Sequence, residues 1–106
     1  MFDVYATMGQ RLALSQVAAH AQRAEALGYD GLAVPEAAHD GLLAAAMALH
    51  ATTRLKVATS VLVAFPRSPM TVAHAAWDLL EASQGRFGLS LGSQVRGNIV
   101  GRYSTP

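Results

Sequence analysis

The chain has 106 residues and a formal net charge of +1, and 52% of its residues are apolar while only 14% are charged. This length allows one small domain, and the lack of a Lys/Arg cluster argues against a nucleic-acid or membrane partner. The absence of cysteine excludes a disulfide scaffold and thiolate metal sites. With no signal peptide and no apolar run approaching the ~18 residues of a membrane span, the sequence predicts a cytoplasmic protein.

Short apolar runs alternate with helical patterns along the whole chain. The predicted elements in chain order are a strand from Phe2 to Met8, a helix from Ser15 to Leu27, a strand from Leu32 to Val34, a helix from Leu42 to Ala51, a strand that begins at Lys56 and continues through the apolar run towards Pro66, a helix from Ser68 to Gly85, and a strand from Arg86 to Gly92. Strands that alternate with helices in this way indicate βαβ units and a parallel sheet.

The helix boundaries follow from residues that cap or break helices. Ser15, Asp40 and Ser68 are predicted N-caps, and Pro69 suits the first helical position. Gly28 and Gly85 are predicted to end the first and third helices. The third helix is predicted to bury Val72, Ala76, Leu79 and Leu80.

The fourth predicted strand has one large and one small face. Phe87, Leu89 and Leu91 alternate with Gly88, Ser90 and Gly92. In a closed (β/α)8 barrel the large face would meet the helices and the small face the interior. Four strands cannot close such a barrel, so the pattern indicates half of one, with a doubly wound sheet as the alternative.

Ligands bind at the carboxyl ends of parallel strands in both architectures, which makes three segments candidates for a site. They contain Glu36, His39 and Asp40; Ser60, Val61 and Arg67; and Gly92, Ser93 and Gln94. Each set also has a structural interpretation: the two acids would stabilise the start of the next helix, Ser60 would bond a neighbouring carbonyl, and Gly92-Ser93 would form an ordinary turn. No motif predicts a metal site, and His20, His50 and His74 are interpreted as structural.

Three segments together resemble the amino-terminal part of the luciferase-like monooxygenase family, and in particular its deazaflavin oxidoreductases, which use coenzyme F-420. They are GYDGLAVPEAAHD, RLKVATSVLVAFPRSPMTVAHAAWDLLEASQGRFGLSLGSQVRG and GRYSTP. The most specific pieces are AFPRSPMT, AAWDLLEASQGRF and LSLGSQVRG. Family members are (β/α)8 barrels about three times as long, so residues 1–106 correspond to four βα units of a single partial barrel domain, interpreted as a fragment of a longer chain.

The resemblance implies roles for particular residues. Glu36 and His39 would border the substrate side as catalytic residues. A non-prolyl cis peptide at Ser60-Val61 would support the back of the cofactor ring. The segment formed by Gly92, Ser93 and Gln94 would approach the cofactor's ribityl-phosphate side.

Two departures from the family pattern affect these assignments. Ala37 replaces a histidine that many relatives place directly after the acid, and Gly41-Leu42 replaces a Pro-Phe pair. The expected activity is hydride transfer between a small organic substrate and the deazaflavin. The alternatives are an FMN-dependent monooxygenase of the same fold, and a non-catalytic half-barrel that binds flavin-like ligands, forms a homo-oligomer or associates with the missing barrel half.

Overall fold

The computed structural model describes residues 3–9, 12–36, 40–63 and 68–92. Three helices and six short strands lie within these ranges, in the order of alternating strands and helices that the sequence predicts. They are β1 (Tyr5–Thr7), α1 (Leu14–Ala26), β2 (Gly31–Val34), α2 (Gly41–Ala51), β3 (Lys56–Thr59), β4 (Leu62–Val63), α3 (Pro69–Ala82), β5 (Phe87–Gly88) and β6 (Leu91–Gly92).

Every strand pair in the described residues is parallel. The main sheet has the order β1-β2-β3-β5, and β4 pairs separately with β6. Because β4 continues the third predicted strand and β6 continues the fourth, the chain contains four parallel strand positions in sequential order. This confirms the predicted α/β fold with parallel strands.

The three described helices all cover the same face of the sheet. Sequential strand order with right-handed crossovers places each connecting helix on the same side. The burial pattern agrees, since the neighbouring residues Leu32, Val57 and Phe87 are buried on that side, while Ala33 and Ala58 on the other side remain partly exposed. A doubly wound sheet would have helices on both faces, so that alternative is wrong and the barrel-type arrangement is correct.

The core lies between the sheet and the helices, and it is built mainly of small aliphatic side chains. Alanines of α1 and α2 allow these two helices to pack closely on each other. The buried residues of this core include Val17, Ala21, Ala24, Leu32, Val34, Ala44, Ala45, Ala48, Leu49, Leu55, Val57 and Phe87.

A one-residue register shift divides the third and fourth predicted strands. Ala58 pairs with Gly88 and Leu62 pairs with Leu91, so four steps along the third strand match three steps along the fourth. The third strand therefore carries one extra residue at Ser60-Val61, which is the geometry of a β-bulge. This explains why two continuous strands are predicted and four short ones are observed.

The helix starts follow the prediction at two of three positions. Asp40 caps α2, and Ser68 precedes Pro69 at the start of α3 as predicted. Ser15, however, lies inside α1, whose N-cap is Ala13; there the Gln16 side chain accepts a hydrogen bond from the Ala13 N–H instead.

The predicted buried face of α3 is only partly correct. Val72 is buried and Leu79 packs against the core, but Leu80 is exposed and Trp77 is 65% exposed. Both exposed residues lie on the side of α3 next to β5, at the edge of the sheet, where no other described element covers them. No helix in the described part of the chain is long and apolar enough to cross a membrane.

Two charged side chains tie together the loops at the amino-terminal ends of the strands. The Glu25 carboxylate accepts hydrogen bonds from the N–H groups of Thr53, Arg54 and Leu55, directly before β3. The Arg86 guanidinium donates to the carbonyls of Leu49, Thr52, Leu55 and Ser83 and to the Thr52 hydroxyl. These bonds join the end of α2, the start of β3 and the end of α3.

We expect Arg86→Met to lower the free energy of unfolding by about 2–3 kcal/mol, because it removes a charged donor from carbonyls that have little access to water. Arg23→Met, at an exposed position of α1, is the matched control and should change stability by less than about 0.5 kcal/mol. Urea unfolding followed by circular dichroism measures both. Equal stability of the two variants would show that the Arg86 hydrogen bonds contribute nothing net.

Glu25 should also make stability depend on pH. Its limited burial would raise the pKa, but the hydrogen bonds from Arg54, Leu55 and Thr53 outweigh this and lower the pKa below its ordinary value of 4.5. A lowered pKa in the folded state stabilises the protein above pH 4.5, and this contribution is lost as the pH falls through the folded value. Below pH 4.5, wild type should therefore lose stability more steeply than Glu25→Gln. Parallel slopes in acid titrations of the two proteins would contradict this.

Candidate functional site

The face of the sheet without helices, here called the open face, is lined by small residues towards the carboxyl ends of the strands. Thr7, Ala33, Ala58 and Gly88 pair side by side across β1, β2, β3 and β5. Thr7 is exposed and the other three are partly exposed. These four residues form a row that we call the small-residue row.

The next row towards the amino-terminal ends is larger and more polar. It contains Tyr5, Gly31 and Lys56, which pair across β1, β2 and β3. The Tyr5 ring lies over Gly31 so closely that a Cβ atom on that glycine would overlap the ring. Lys56 forms an exposed ion pair with Asp3 at 3.0 Å, which raises the pKa of the lysine. Among the described residues, larger side chains therefore occupy the amino-terminal part of the open face, and small ones line it towards the carboxyl ends of the strands.

Ser60 and Val61 lie at the carboxyl end of the third strand, at the bulge. The peptide bond between them is cis, as the family resemblance predicts. The Ser60 N–H donates to the Val34 carbonyl at 2.7 Å, which ties the bulge to β2. Ser60 is exposed and Val61 is 37% exposed. No hydrogen bond joins the Ser60 hydroxyl to another described residue, so the bond to a neighbouring carbonyl considered from the sequence is not observed.

Glu36 follows β2 at the same end of the sheet, but its side chain is buried. The residue is only 8% exposed, and its Oε2 accepts a hydrogen bond from the Gly41 N–H at 2.8 Å. A Cβ atom on Gly41 would lie 3.4 Å from the Glu36 Cβ and 3.2 Å from a methyl group of Leu62, so glycine keeps this position clear. The carboxylate thus fixes the start of α2 next to the third strand.

Asp40 is the second acid at the start of α2. Its Oδ1 accepts from the Leu42 N–H at 2.8 Å and from the Leu43 N–H at 3.1 Å. Together with Glu36, it satisfies three of the free N–H groups at this helix terminus, where the helix dipole also favours negative charge. The structural interpretation of both acids is therefore observed, and it is compatible with a further role at the site.

Several predicted site residues lie outside the described residues. His39, Arg67, Ser93 and Gln94 are among them, whereas the backbone of Gly92 pairs with Val63 in the β4–β6 ladder. In the described ranges, no group of three or more His, Cys, Asp or Glu residues could hold a metal ion.

Sequence reasoning identified only part of the small-residue row. The alternation in the fourth strand revealed Gly88, but Thr7, Ala33 and Ala58 were not predicted as site residues. Identifying them requires the register between neighbouring strands, which cannot be read from a single sequence.

A parallel sheet in sequential strand order with helices on one face is the arrangement of part of a (β/α)8 barrel. Comparison with family models gives the more specific assignment, because the model for luciferase-like monooxygenases matches residues 1–106. The chain belongs to the luciferase-like monooxygenase family.

Curated relatives come from mycobacteria. The uncharacterized proteins Rv1360 and MT1405 of two Mycobacterium tuberculosis strains and Mb1395 of Mycobacterium bovis are each 44% identical to this chain over 95 residues. These alignments cover 87% of this chain and 28% of each relative. The chain thus spans well under a third of the length of these relatives.

Solved structures with the same fold include two monooxygenases. One is the oxygenating constituent of 3,6-diketocamphane monooxygenase from Pseudomonas putida, a type II Baeyer-Villiger enzyme in complex with FMN, with a TM-score of 0.78 over 94% of this chain and 32% of that chain. The other is RslO1 from Streptomyces bottropensis, with a TM-score of 0.82 over 99% of this chain and 37% of that chain. Both are 17% identical to this chain, so the likeness concerns the fold.

The contact between Glu36 and Gly41 predicts a difference between two substitutions. Glu36→Ala leaves the buried Gly41 N–H without its acceptor and should cost about 1–3 kcal/mol of stability. Glu36→Gln keeps an amide oxygen in place and should cost less. Urea unfolding measures both, with Glu81→Ala as the control at an exposed acid of α3. If Glu36→Ala is as stable as Glu81→Ala, the carboxylate does not hold the start of α2.

Proposed function

We propose that this chain forms the ring-binding part of an oxidoreductase that transfers a hydride between a small organic substrate and the deazaflavin coenzyme F-420. The observation that carries the proposed ring site is the small-residue row on the open face, whereas the choice of the deazaflavin rests on the sequence resemblance. In an ordinary (β/α)8 barrel, bulky branched side chains fill the interior in layers. Here Thr7, Ala33, Ala58 and Gly88 leave that space free on four adjacent strands.

The free space has the properties that a flat tricyclic ring requires. Its floor consists of Cα atoms, methyl groups and one hydroxyl, so a planar ring could approach the sheet closely. The ring would meet the exposed Ser60 and Val61 at the carboxyl end of the third strand. The residues present therefore fit the ring of a flavin or a deazaflavin.

When bound, the deazaflavin supplies the two-electron hydride chemistry, and the protein positions the ring and excludes water. In this proposal Ser60 and Val61 support the ring, and Gly92, Ser93 and Gln94 border its ribityl-phosphate side. Glu36 and His39 border the substrate side as the proposed catalytic residues. Glu36 has the additional, observed contact with Gly41, through which it would also fix the wall of the site.

FMN is the second candidate cofactor, with monooxygenation as the corresponding reaction. The observation in its favour is that the Pseudomonas putida monooxygenase of the same fold is in complex with FMN. The small-residue row does not distinguish the two, because both cofactors carry a planar tricyclic ring. A direct comparison of the two ligands is therefore part of the test.

The proposed partner of this chain is protein that covers the open face, either a second copy or another part of a barrel. Within the described residues, one face of the sheet lacks helices, and β1 and β5 each pair with only one neighbouring strand of the main sheet. Uncovered strand edges and exposed apolar residues such as Trp77 favour association. Because the chain spans 28% of its curated relatives, activity is proposed for the completed barrel.

The first test is a fluorescence titration of the purified chain with coenzyme F-420 and, separately, with FMN, with light scattering on the same sample. Saturable binding of coenzyme F-420 in preference to FMN by a defined oligomer is the expected result. Preference for FMN would replace the deazaflavin with the second candidate. Absence of saturable binding for both ligands would contradict the proposal for this chain.

A substitution in the small-residue row tests where the ring lies. Ala58→Leu places a bulky side chain on the open face without entering the core, so the fold should persist while affinity falls by about tenfold or more. Ala58→Ser keeps the residue small and is the matched control. The same titration, with circular dichroism to verify folding, measures both variants. Equal affinities of the two would place the ligand elsewhere.

A further inference from the structure

The bulge at Ser60-Val61 leaves a gap in the backbone pairing between the third and fourth strands. On one side of the gap Ala58 pairs with Gly88, and on the other side Leu62 pairs with Leu91. An interrupted ladder can slip, since register is specified by continuous pairing and by the side chains that each face must bury. Ser60-Val61, which would support the ring, lies within this gap, and Gly92, which would border the ribityl-phosphate side, follows it.

Thr59 spans the gap with its side chain. Its hydroxyl donates a hydrogen bond to the Ser90 carbonyl at 3.0 Å and accepts one from the Ser90 N–H at 2.9 Å. A single side chain thus bonds both backbone groups of one residue on the neighbouring strand, as another strand's backbone would. The Ser90 carbonyl also accepts from the Leu62 N–H at 2.7 Å, so it is shared between the two sides of the bulge.

Thr59 is buried among apolar side chains, where its hydroxyl has almost no access to water. The residue is 1% exposed on the helix-facing side of the sheet, among the buried aliphatic residues of the core. Val57 occupies the preceding core position on the same strand, and Val34 and Phe87 occupy core positions on the neighbouring strands. Valine would fill the same volume as threonine, so packing alone does not call for a hydroxyl here.

We propose that Thr59 is a positioning residue that holds the third and fourth strands in their shifted register and thereby fixes Ser60 and Val61 at the ligand site. The inference about the ligand rests on the proposed function, whereas the inference about the register stands on the contacts of the Thr59 hydroxyl. Thr59 itself faces away from the open face and touches no ligand.

The test compares Thr59→Val, which removes the hydroxyl at constant volume, with Thr59→Ser, which keeps it. Amide hydrogen exchange is followed by NMR at Ser90 and Leu62, next to the bulge, and at Val57, whose N–H bonds to the Arg86 carbonyl before the gap. Thr59→Val should accelerate exchange at Ser90 and Leu62 by about tenfold relative to Val57, and Thr59→Ser should not.

Thr52→Val is the matched control. Thr52 is also buried, and its hydroxyl donates to the Ala48 carbonyl and accepts from the Arg86 guanidinium, at the amino-terminal end of the sheet and thus at the opposite end of the third strand from the bulge. Its removal should lower global stability without selective acceleration at Ser90 and Leu62. If Thr59→Val accelerates all three amides by the same factor, as Thr52→Val does, Thr59 has only a general structural role and the proposal is overturned.

A second readout connects the register to the ligand. The affinity of Thr59→Val for FMN and for coenzyme F-420 should fall by about tenfold relative to Thr59→Ser when both variants remain folded. Equal affinities would overturn the positioning role at the ligand site. If wild type binds neither ligand, the proposed function fails, and the exchange comparison still decides whether Thr59 holds the register.

Discussion

The one-sided placement of the helices is the constraint on which the rest of this structure depends. Parallel strands that follow each other in sequential order, joined by crossovers of one hand, must keep all their helices on one face. The chain can then bury large side chains only on that face, where Leu32, Val57 and Phe87 meet the helices. The opposite face does not pack against these helices, so its residues can instead be suited to contact with a ligand or with another protein.

This constraint separates the two ends of the sheet by role. At the amino-terminal ends, Glu25 and Arg86 saturate loop backbone groups with charged hydrogen bonds. At the carboxyl ends, Ser60 and Val61 are exposed and the strand pairing is interrupted. In (β/α)8 enzymes, residues at the amino-terminal ends of the strands commonly contribute to stability, and residues at the carboxyl ends carry out the chemistry. In this chain, four strand positions are enough to show the difference between the two ends.

The general architecture could be predicted from the sequence because it depends on local signals. Apolar periodicity, Gly28, Gly85 and the Ser68-Pro69 start located the elements, and Asp40 was identified as a cap from residue type and position alone. The family resemblance located the cis peptide at Ser60-Val61, which periodicity does not reveal. The N-cap of α1 was misplaced because Gln16 at the third helical position performs the capping that Ser15 was expected to perform.

What the sequence could not provide are relations between strands. The small-residue row, the register shift and the Thr59–Ser90 contact pair residues that are 25 to 31 positions apart, and each depends on which residues lie side by side. The role of Arg86 was missed for the same reason, since its partners belong to three other segments. The burial of Leu80 was overestimated because helical periodicity shows which side chains share a stripe and not whether anything covers that stripe.

The contact between Tyr5 and Gly31 has a consequence for how any ligand would enter. Rows of side chains on one face of a strand are separated by about 6.6–6.8 Å, so the tyrosine ring covers β2 one row below the small residues. A molecule that entered a completed barrel from the carboxyl ends of the strands would meet this ring beneath Ala33. The ring would therefore limit how deeply a ligand could descend over β2.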